Sequence, residues 1–374
     1  MRLHTPATSL VFEEPLGSLP LSQSTPAMPR LSRLAATVAL AALVAAVPAC
    51  SSRGGKPKVA VVTNLTAEFW SIAEAGANKA AKDFDVEVIF RQPKTNTVAD
   101  QMDIVNDLVR LGVSGISVSV NKPDEQTPAL QGVAAKTNLI TMDNDAKGSN
   151  RKCYVGVDNY EAGKGVGRLI KKAMPNGGTL ALFIGTVSSA NSVARIGGVL
   201  DELADRKDAP QTPGAAIGKF TLDGIYTDDG DETRAQDRAK DVLEKLRGTP
   251  NLCLVGLYAY NPKAILAGAK AKGLTGKVTI AGFDEDKATL QGVRDGDILG
   301  TIVQDPFNYG YKSVEILAAL AKGDASKAVD YNIPYRVITR DGAPDETING
   351  VKVVTMKATD FEAKLQADLD SVKK

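Results

Sequence analysis

Polar and aromatic side chains follow several short apolar runs of this sequence, and together they could bind a polyhydroxylated molecule. Carboxylates and amides hydrogen-bond neighbouring hydroxyl groups, while a flat aromatic ring covers the apolar C–H face of a sugar. The pattern therefore predicts a sugar-like ligand. The residues that we predict to bind it are Asn64, Phe69, Trp70, Asn121, Asp143, Asp145, Arg195, Asn261, Asp284 and Gln304.

Each of these residues also has an ordinary structural interpretation. Asp143 and Asp284 could cap helices or form turns, and Phe69 and Trp70 could belong to a core. Arg195 could be a solvated charge or half of a surface ion pair. The prediction of a binding site therefore rests on the joint placement of these residues and not on any one of them.

Catalytic chemistry has few candidates in this sequence. The only histidine, His4, precedes the predicted signal peptide, so the exported chain has no histidine for a catalytic triad, a general base or a metal site. Glycines 163, 165 and 167 lack the GxGxxG spacing of a dinucleotide loop. We expect no catalytic residue, no metal and no cofactor, although Asp143 paired with Asp145 or Asp284 keeps open a sugar-acting enzyme.

Short β-rich runs alternate with amphipathic segments from Lys58 onward, once every 25 to 35 residues. Most of the β-rich runs are nearly continuously apolar, as expected for parallel strands that helices cover on both faces. The pattern predicts an α/β fold with two Rossmann-like or flavodoxin-like lobes, whose ligand lies at the carboxyl ends of the strands. The predicted strands are 59–62, 86–90, 116–120, 139–142, 154–157, 180–184, 220–226, 252–257, 278–283 and 298–303, and the first two helices are 68–84 and 98–111.

The N-terminus has the order of an export signal. Residues 28–49 contain a basic segment, a 14-residue apolar run and a small-residue cleavage site. Residues 1–27 show no such order, so we expect them to be untranslated, with Met28 as the true start, or to be an extension of the leader. The protein is therefore expected in a periplasm or at the cell surface.

The three cysteines have different predicted roles. Cys50 ends a Val-Pro-Ala-Cys sequence that resembles a bacterial lipobox, so we predict its lipidation and a linker over 50–57; a plain secretory signal is the alternative. Cys153 and Cys253 lie in separate apolar runs, and we predict two buried thiols and no disulfide between them.

Five stretches of the chain carry a family pattern. They are Val59-Ala-Val-Val-Thr-Asn-Leu-Thr-Ala-Glu-Phe69-Trp70, Leu139-Ile-Thr-Met-Asp143, Gly156-Val-Asp158-Asn159-Tyr-Glu-Ala-Gly163, Ala281-Gly-Phe-Asp284 and Gly300-Thr-Ile-Val-Gln304-Asp-Pro. Together they resemble the ribose-binding-protein-like group of type I periplasmic binding proteins, which deliver sugars to ABC importers. The resemblance runs from about Lys58 to Lys322.

The resemblance implies how the chain is divided and how it acts. The first lobe would comprise 58–158 plus 305–331 and the second 159–304 plus 332–374 with a C-terminal extension, joined by a three-segment hinge. The lobes would close on a sugar, and an ABC permease of the cytoplasmic membrane would recognise the closed form. An aromatic ring at Phe69 or Trp70 would stack on the sugar, and its hydroxyls would bind Asn121, Asp143, Arg195, Asn261, Asp284 and Gln304.

The sequence departs from the ribose-binding pattern in three places. Asn144 follows the aspartate of the fourth strand where ribose binders have an arginine, and Ala67 replaces an asparagine before the aromatic pair. An aromatic residue expected in the second lobe is replaced near Asp231. We therefore expect a ligand other than ribose. The resemblance does not explain residues 340–374, where we predict a strand at 351–355 and a helix at 360–369.

Other classes of protein are excluded or kept open by simple features. Lys and Arg number 45 against 44 Asp and Glu, which argues against a nucleic-acid surface. A signal sequence stands where a sugar-responsive repressor would have its helix-turn-helix. A non-sugar ligand such as a furanone autoinducer or a nucleoside stays open, as does an exported enzyme acting on sugars. We expect a monomer that touches the membrane only through its lipid anchor.

Overall fold

The computed structural model describes residues 55–348 and 350–371. The predicted signal peptide and Cys50 lie outside the described residues. The strands are β1 (Lys58–Val62), β2 (Glu87–Arg91), β3 (Gly115–Val118), β4 (Asn138–Met142), β5 (Tyr154–Gly156), β6 (Gly178–Ile184), β7 (Ala216–Ile217), β8 (Phe220–Thr227), β9 (Leu252–Gly256), β10 (Thr279–Phe283), β11 (Gly300–Val303), β12 (Tyr331–Asn332), β13 (Arg336–Thr339), β14 (Glu346–Ile348) and β15 (Val351–Lys357). The helices are α1 (Glu68–Phe84), α2 (Val98–Arg110), α3 (Pro123–Ala134), α4 (Asn159–Ala173), α5 (Ala190–Ala204), α6 (Glu232–Lys245), α7 (Asn261–Ala271), α8 (Lys287–Asp295), α9 (Pro306–Ala321) and α10 (Ala358–Asp370).

The first sheet has the order β12-β5-β4-β3-β1-β2, and its strands pair in parallel. Alternate residues of β1 face opposite sides of this sheet. Val59 and Val61 pack in the core beneath α1 and α9, while Ala60 and Val62 pack in the core beneath α2 and α3. Both faces are buried, which explains why the strand is apolar from Val59 to Val62.

Glycines allow α1 and α9 to approach closely. A Cβ atom on Gly310 would lie 1.8 Å from the carbonyl oxygen of Ala73, and one on Gly76 would lie 1.9 Å from that of Phe307. Both distances are impossible for real atoms, so these positions require glycine. The contact matters because α9 follows β11 of the second sheet in the chain and yet packs on the first sheet.

The second sheet has the order β14-β15-β13-β11-β10-β9-β6-β8-β7. Strands β6, β8, β9, β10 and β11 are parallel, and β13 pairs antiparallel with β11. The α/β class with two parallel-stranded, helix-covered sheets is thus confirmed. Within the described residues, no helix is long and apolar enough to cross a bilayer.

The chain passes between the sheets three times: from β5 to α4, from β11 to α9 and from β12 to β13. Strand β12 keeps Asn332 in the first sheet, whereas the expected division starts the second lobe at that residue. The division into two lobes that move as units stays a prediction.

The C-terminal segment forms the predicted strand and helix, and they connect the two halves of the molecule. Strand β15 pairs with β13 at the edge of the second sheet. Helix α10 contacts α8, β13 and β15 of that half, and also α1 of the first. Phe361 is the buried anchor of α10, and the guanidinium of Arg336 lies 5.5 Å from its ring centre.

Both cysteines within the described residues are free thiols, as predicted. Cys153 is buried just before β5 of the first sheet, and Cys253 is buried in β9 of the second. Burial raises the pKa of the Cys153 thiol to about 11 and that of Cys253 to about 12, so both are protonated and unreactive at neutral pH.

Candidate ligand-binding site

A cavity of about 410 Å³, including its opening, lies at the carboxyl ends of strands from both sheets. This is where open parallel sheets bind ligands. Seven of the ten residues predicted to bind ligand line it. The lining comprises Asn64, Leu65, Ala67, Phe69, Trp70, Asp143, Asn191, Arg195, Tyr258, Ala259, Tyr260, Asp284 and Gln304.

Asp143 and Asp284 occupy equivalent positions in the two halves. Each directly follows a strand, β4 or β10, and each has a left-handed backbone, with φ of 57° and 65°. Backbone hydrogen bonds from Asp143 to Val155 and from Asp284 to Ile302 hold each residue against the neighbouring strand. Positive φ is uncommon outside glycine, although aspartate tolerates it better than most residues, and it often marks functional positions.

Arg195 carries a buried positive charge into the cavity. It lies on α5 and is only 2% exposed. Its Nε donates to Asn159 Oδ1 and its Nη1 to the carbonyl oxygen of Leu257, both at 2.8 Å. Its guanidinium also lies 3.9 Å from the ring centre of Phe283. These contacts fix the orientation of the charge and rule out a solvated surface arginine.

The electrostatics of the cavity leave its carboxyl groups short of hydrogen-bond donors. Burial raises the pKa of Asp284 to about 6, against the lowering effects of Arg195 and Gln304. Burial also raises the pKa of Asp143, opposed by Arg195 and by the hydroxyl of Ser119, which donates to Asp143 at 2.8 Å. Two buried carboxyls thus face a single buried guanidinium, and a ligand rich in hydroxyl donors would complete the arrangement.

Gln304 is held in place by its neighbours on both sides. Its Nε2 donates to Asp284 Oδ1 and its Oε1 accepts from the hydroxyl of Tyr309, both at 2.8 Å. Gln304 directly follows β11 at the second crossing, so these hydrogen bonds connect the cavity to that crossing. The side-chain amide of Gln304 therefore orients Asp284.

The adjacent aromatic residues Phe69 and Trp70 have different roles. Trp70 is 2% exposed, belongs largely to the core and donates from Nε1 to Asn64 Oδ1 at 3.1 Å. Phe69 is half-buried and packs edge-on against Trp70, with ring centres 4.9 Å apart. Phe69 is thus the ring that the first half offers to a ligand.

Three polar or aromatic residues of the lining were not among the predicted ligand contacts. Tyr258 and Tyr260 supply the aromatic surface of the second half, which the departure near Asp231 suggested was missing. The hydroxyl of Tyr258 contacts Ser189 and Ser192, and that of Tyr260 donates to Asp228 at 2.5 Å. Asn191 lies in the first turn of α5. The position of Tyr258 just after β9 could have revealed it.

Three residues that we predicted to contact the ligand do not line the cavity. Each of them interacts with neighbouring residues instead. Asp145 forms an ion pair with Arg151, 2.6 Å away, and does not belong to the cavity lining. Asn261 accepts from the Tyr258 backbone and donates to Asp228, so it shapes the turn before α7. The Asn121 backbone donates to Gln101, and its Nδ2 is buried without a partner in the described residues.

The geometry defines a class of protein. Two halves, each built on a parallel-stranded sheet, are joined by three passages of the chain, and a polar and aromatic cavity lies between their strand ends. A family model for the periplasmic binding protein domain matches residues 59–325. The match covers well over half of the chain, and the protein belongs to this family. The resemblance to ribose-binding-protein-like sugar-binding proteins is confirmed.

Curated relatives match over most of their length. The D-allose-binding periplasmic protein of Escherichia coli is 28% identical over 298 residues, covering 76% of this chain and 87% of that protein. The ribose import binding protein of Bacillus subtilis is 24% identical over 270 residues, covering 71% and 82%.

Solved structures show the same fold. An ABC transporter solute-binding protein from Burkholderia graminis, in complex with D-arabinose, matches with a TM-score of 0.71 at 24% identity and covers 77% of this chain and 96% of that one. Another, from Agrobacterium vitis and bound to α-D-tagatopyranose, gives 0.69 at 18%, covering 76% and 95%.

Proposed function

We propose that this protein is the substrate-binding protein of an ABC importer and captures a monosaccharide or similar polyol between its two lobes. The observation that carries the proposal is the burial of Asp143, Arg195 and Asp284 in one cavity with Phe69 beside them. Hydrogen bonds to charged groups contribute roughly 1.5–3 kcal/mol each. A few such bonds, made together in a closed site, account for a binding free energy of about 8–10 kcal/mol, which corresponds to a sub-micromolar dissociation constant.

Hydrogen bonds between the two halves of the molecule support closure around the ligand. The Asn191 backbone donates to Asn144 Oδ1 at 3.1 Å, and Asn96 Nδ2 donates to the Asp229 carbonyl at 3.1 Å. Each bond joins one half of the molecule to the other. Ligand that binds the closed form more tightly shifts the population toward it, and a membrane permease would recognise that form.

The proposal includes export and binding without turnover. One relative, the D-allose-binding protein of Escherichia coli, is named as a periplasmic protein. The signal-like residues 28–49 with Cys50 agree with an exported protein that a lipid holds at the membrane. Asp145 is engaged by Arg151, which weakens the case for a glycosidase.

A thermal-shift screen tests the proposal. Protein starting at Ser51 is heated with pentoses, hexoses, deoxy sugars, polyols and nucleosides. A rise in Tm with one or two related sugars is expected from ligand linkage. A rise with nucleosides alone would identify the ligand as a nucleoside instead of a sugar. No rise with any compound would contradict solute capture.

A further inference from the structure

A second cavity adjoins the first and has a different lining. Ala67, Phe69, Ala259 and Tyr260 line both cavities, so the two spaces meet at the aromatic rings. The second is the larger, at about 930 Å³ including its opening. It lies among the N-terminal ends of α1 and α8 and one face of α10. The rest of its lining comprises Glu68, Ile72, Glu232, Lys263, Glu285, Asp286, Lys287, Leu290, Glu362, Leu365, Gln366 and Leu369.

Glu285 is the exceptional residue of this second cavity. It follows Asp284 directly and is 5% exposed. Neither of its carboxylate oxygens has a hydrogen-bond partner among the described residues. Arg336 is the positive charge that acts on this carboxyl, and it is already paired with Asp305 at 2.8 Å. A buried carboxyl without donors is costly, and native structures seldom leave one unexplained.

The other charges of this cavity are already neutralised. Lys263 lies 3.1 Å from Glu232 and 3.0 Å from Asp286. Lys287 lies 3.0 Å from Glu68, and Glu362 pairs with Arg294. Glu285 is therefore the one charged residue of this lining, within the described residues, that has no ion-pair or hydrogen-bond partner.

The remaining wall of the second cavity is apolar and comes largely from α10. Leu365 and Leu369 of this helix face Ile72 and Leu290 around the same space. The family match ends at residue 325, so this wall lies outside the matched domain. An apolar wall opposite a single hydrogen-bonding carboxyl suits a second sugar ring, which has one C–H face and an edge of hydroxyls.

We propose that the second cavity is a subsite for the second ring of a disaccharide, with a ring hydroxyl bound by Glu285 and the C–H face against Leu365 and Leu369. The inference rests on the proposed function, because the first ring would occupy the cavity of Asp143, Arg195 and Asp284. Burial raises the pKa of Glu285 well above its usual range, so the carboxyl can also donate to a ring oxygen.

Isothermal titration with paired sugars tests the subsite. The probes are D-xylose with xylobiose, D-glucose with cellobiose, and D-galactose with lactose and β-1,4-galactobiose. At least one disaccharide is expected to bind ten-fold or more tightly than its monosaccharide. Leu365→Trp, which fills the subsite, should abolish that advantage and leave the monosaccharide dissociation constant within two-fold. The matched control Ala363→Trp, on the exposed face of α10, should retain it.

Glu285→Gln gives a second readout if Leu365→Trp does not fold. It should lower the ratio of disaccharide to monosaccharide affinity at least five-fold. Monosaccharide binding with no gain from any disaccharide, or a gain that survives both variants, would overturn the subsite and leave the proposed function standing. No binding of any probe would overturn both.

Discussion

Arg195 illustrates how one residue organises the site. Its charge lies in the cavity with Asp143 and Asp284 while its own donors bind Asn159 and the Leu257 carbonyl. Arg195→Lys is expected to weaken ligand binding at least 30-fold, because a single ammonium cannot reproduce the planar set of donors. Isothermal titration measures the change. Binding within three-fold of the unchanged protein would contradict this role.

Asp284 and Asp145 provide a matched pair of variants. Asp284→Asn should abolish tight sugar binding and leave the Tm at pH 7 unchanged or raised, because the pKa of about 6 shows that burial disfavours the ionised group. Asp145→Asn should do the opposite, lowering the Tm by loss of the Arg151 pair while binding persists. Thermal unfolding and titration of both variants check the prediction. If Asp145→Asn abolished sugar binding and Asp284→Asn lowered the Tm, the roles assigned to these two residues would be wrong.

Glu285 predicts a dependence of stability on pH. Its folded-state pKa lies well above 4.5, so its favourable contribution is complete below about that pH and is lost as pH rises through the folded value. Glu285→Gln should therefore match the unchanged protein near pH 4.5 and have the higher free energy of unfolding at pH 8. Urea unfolding across that range measures this, and parallel curves would refute it.

At the scale of elements, close helix packing predicts a sharp difference between two glycines. Gly310→Ala should lower the free energy of unfolding by about 1–3 kcal/mol or more, since its Cβ would collide with the Ala73 carbonyl where α9 meets α1. Gly132→Ala on α3 meets nothing within 4 Å, and it should stabilise by roughly 0.5–1 kcal/mol through helix propensity. Chemical denaturation of both variants tests the packing; equal effects would contradict it.

The elements themselves were predictable from sequence because both faces of the sheets are covered. Apolar runs such as β1 and β9 are stable only as buried strands, and residues just after them lie at the cavity. The short strands β7, β12, β13 and β14 were not predicted, since two to four residues show too little of a period. Asp145 and Asp143 looked alike in sequence. Only the approach of Arg151, six residues further along the chain from Asp145, decides that one is structural and the other lines the cavity.

At the scale of the whole molecule, α10 links the two halves and should influence their closure. Removal of residues 358–374 would delete its contacts with α1 and α8. The ligand-free protein is then expected to sample more open forms and to have a larger radius of gyration, with weaker ligand binding. Small-angle scattering with and without sugar measures this. Identical scattering by the two proteins, with a folded circular dichroism spectrum, would show that α10 does not affect closure.

The position of α10 should also affect how fast a bound molecule leaves the cavity. On the proposed closure, a bound molecule leaves when the two halves separate, and separation must first detach α10 from α1 or from α8. Detachment exposes Phe361 or its neighbours to water, so the escape rate should be low and should rise steeply with temperature. Residence times would then be long compared with those of the same protein without α10, and rapid release would depend on contact with the membrane transporter.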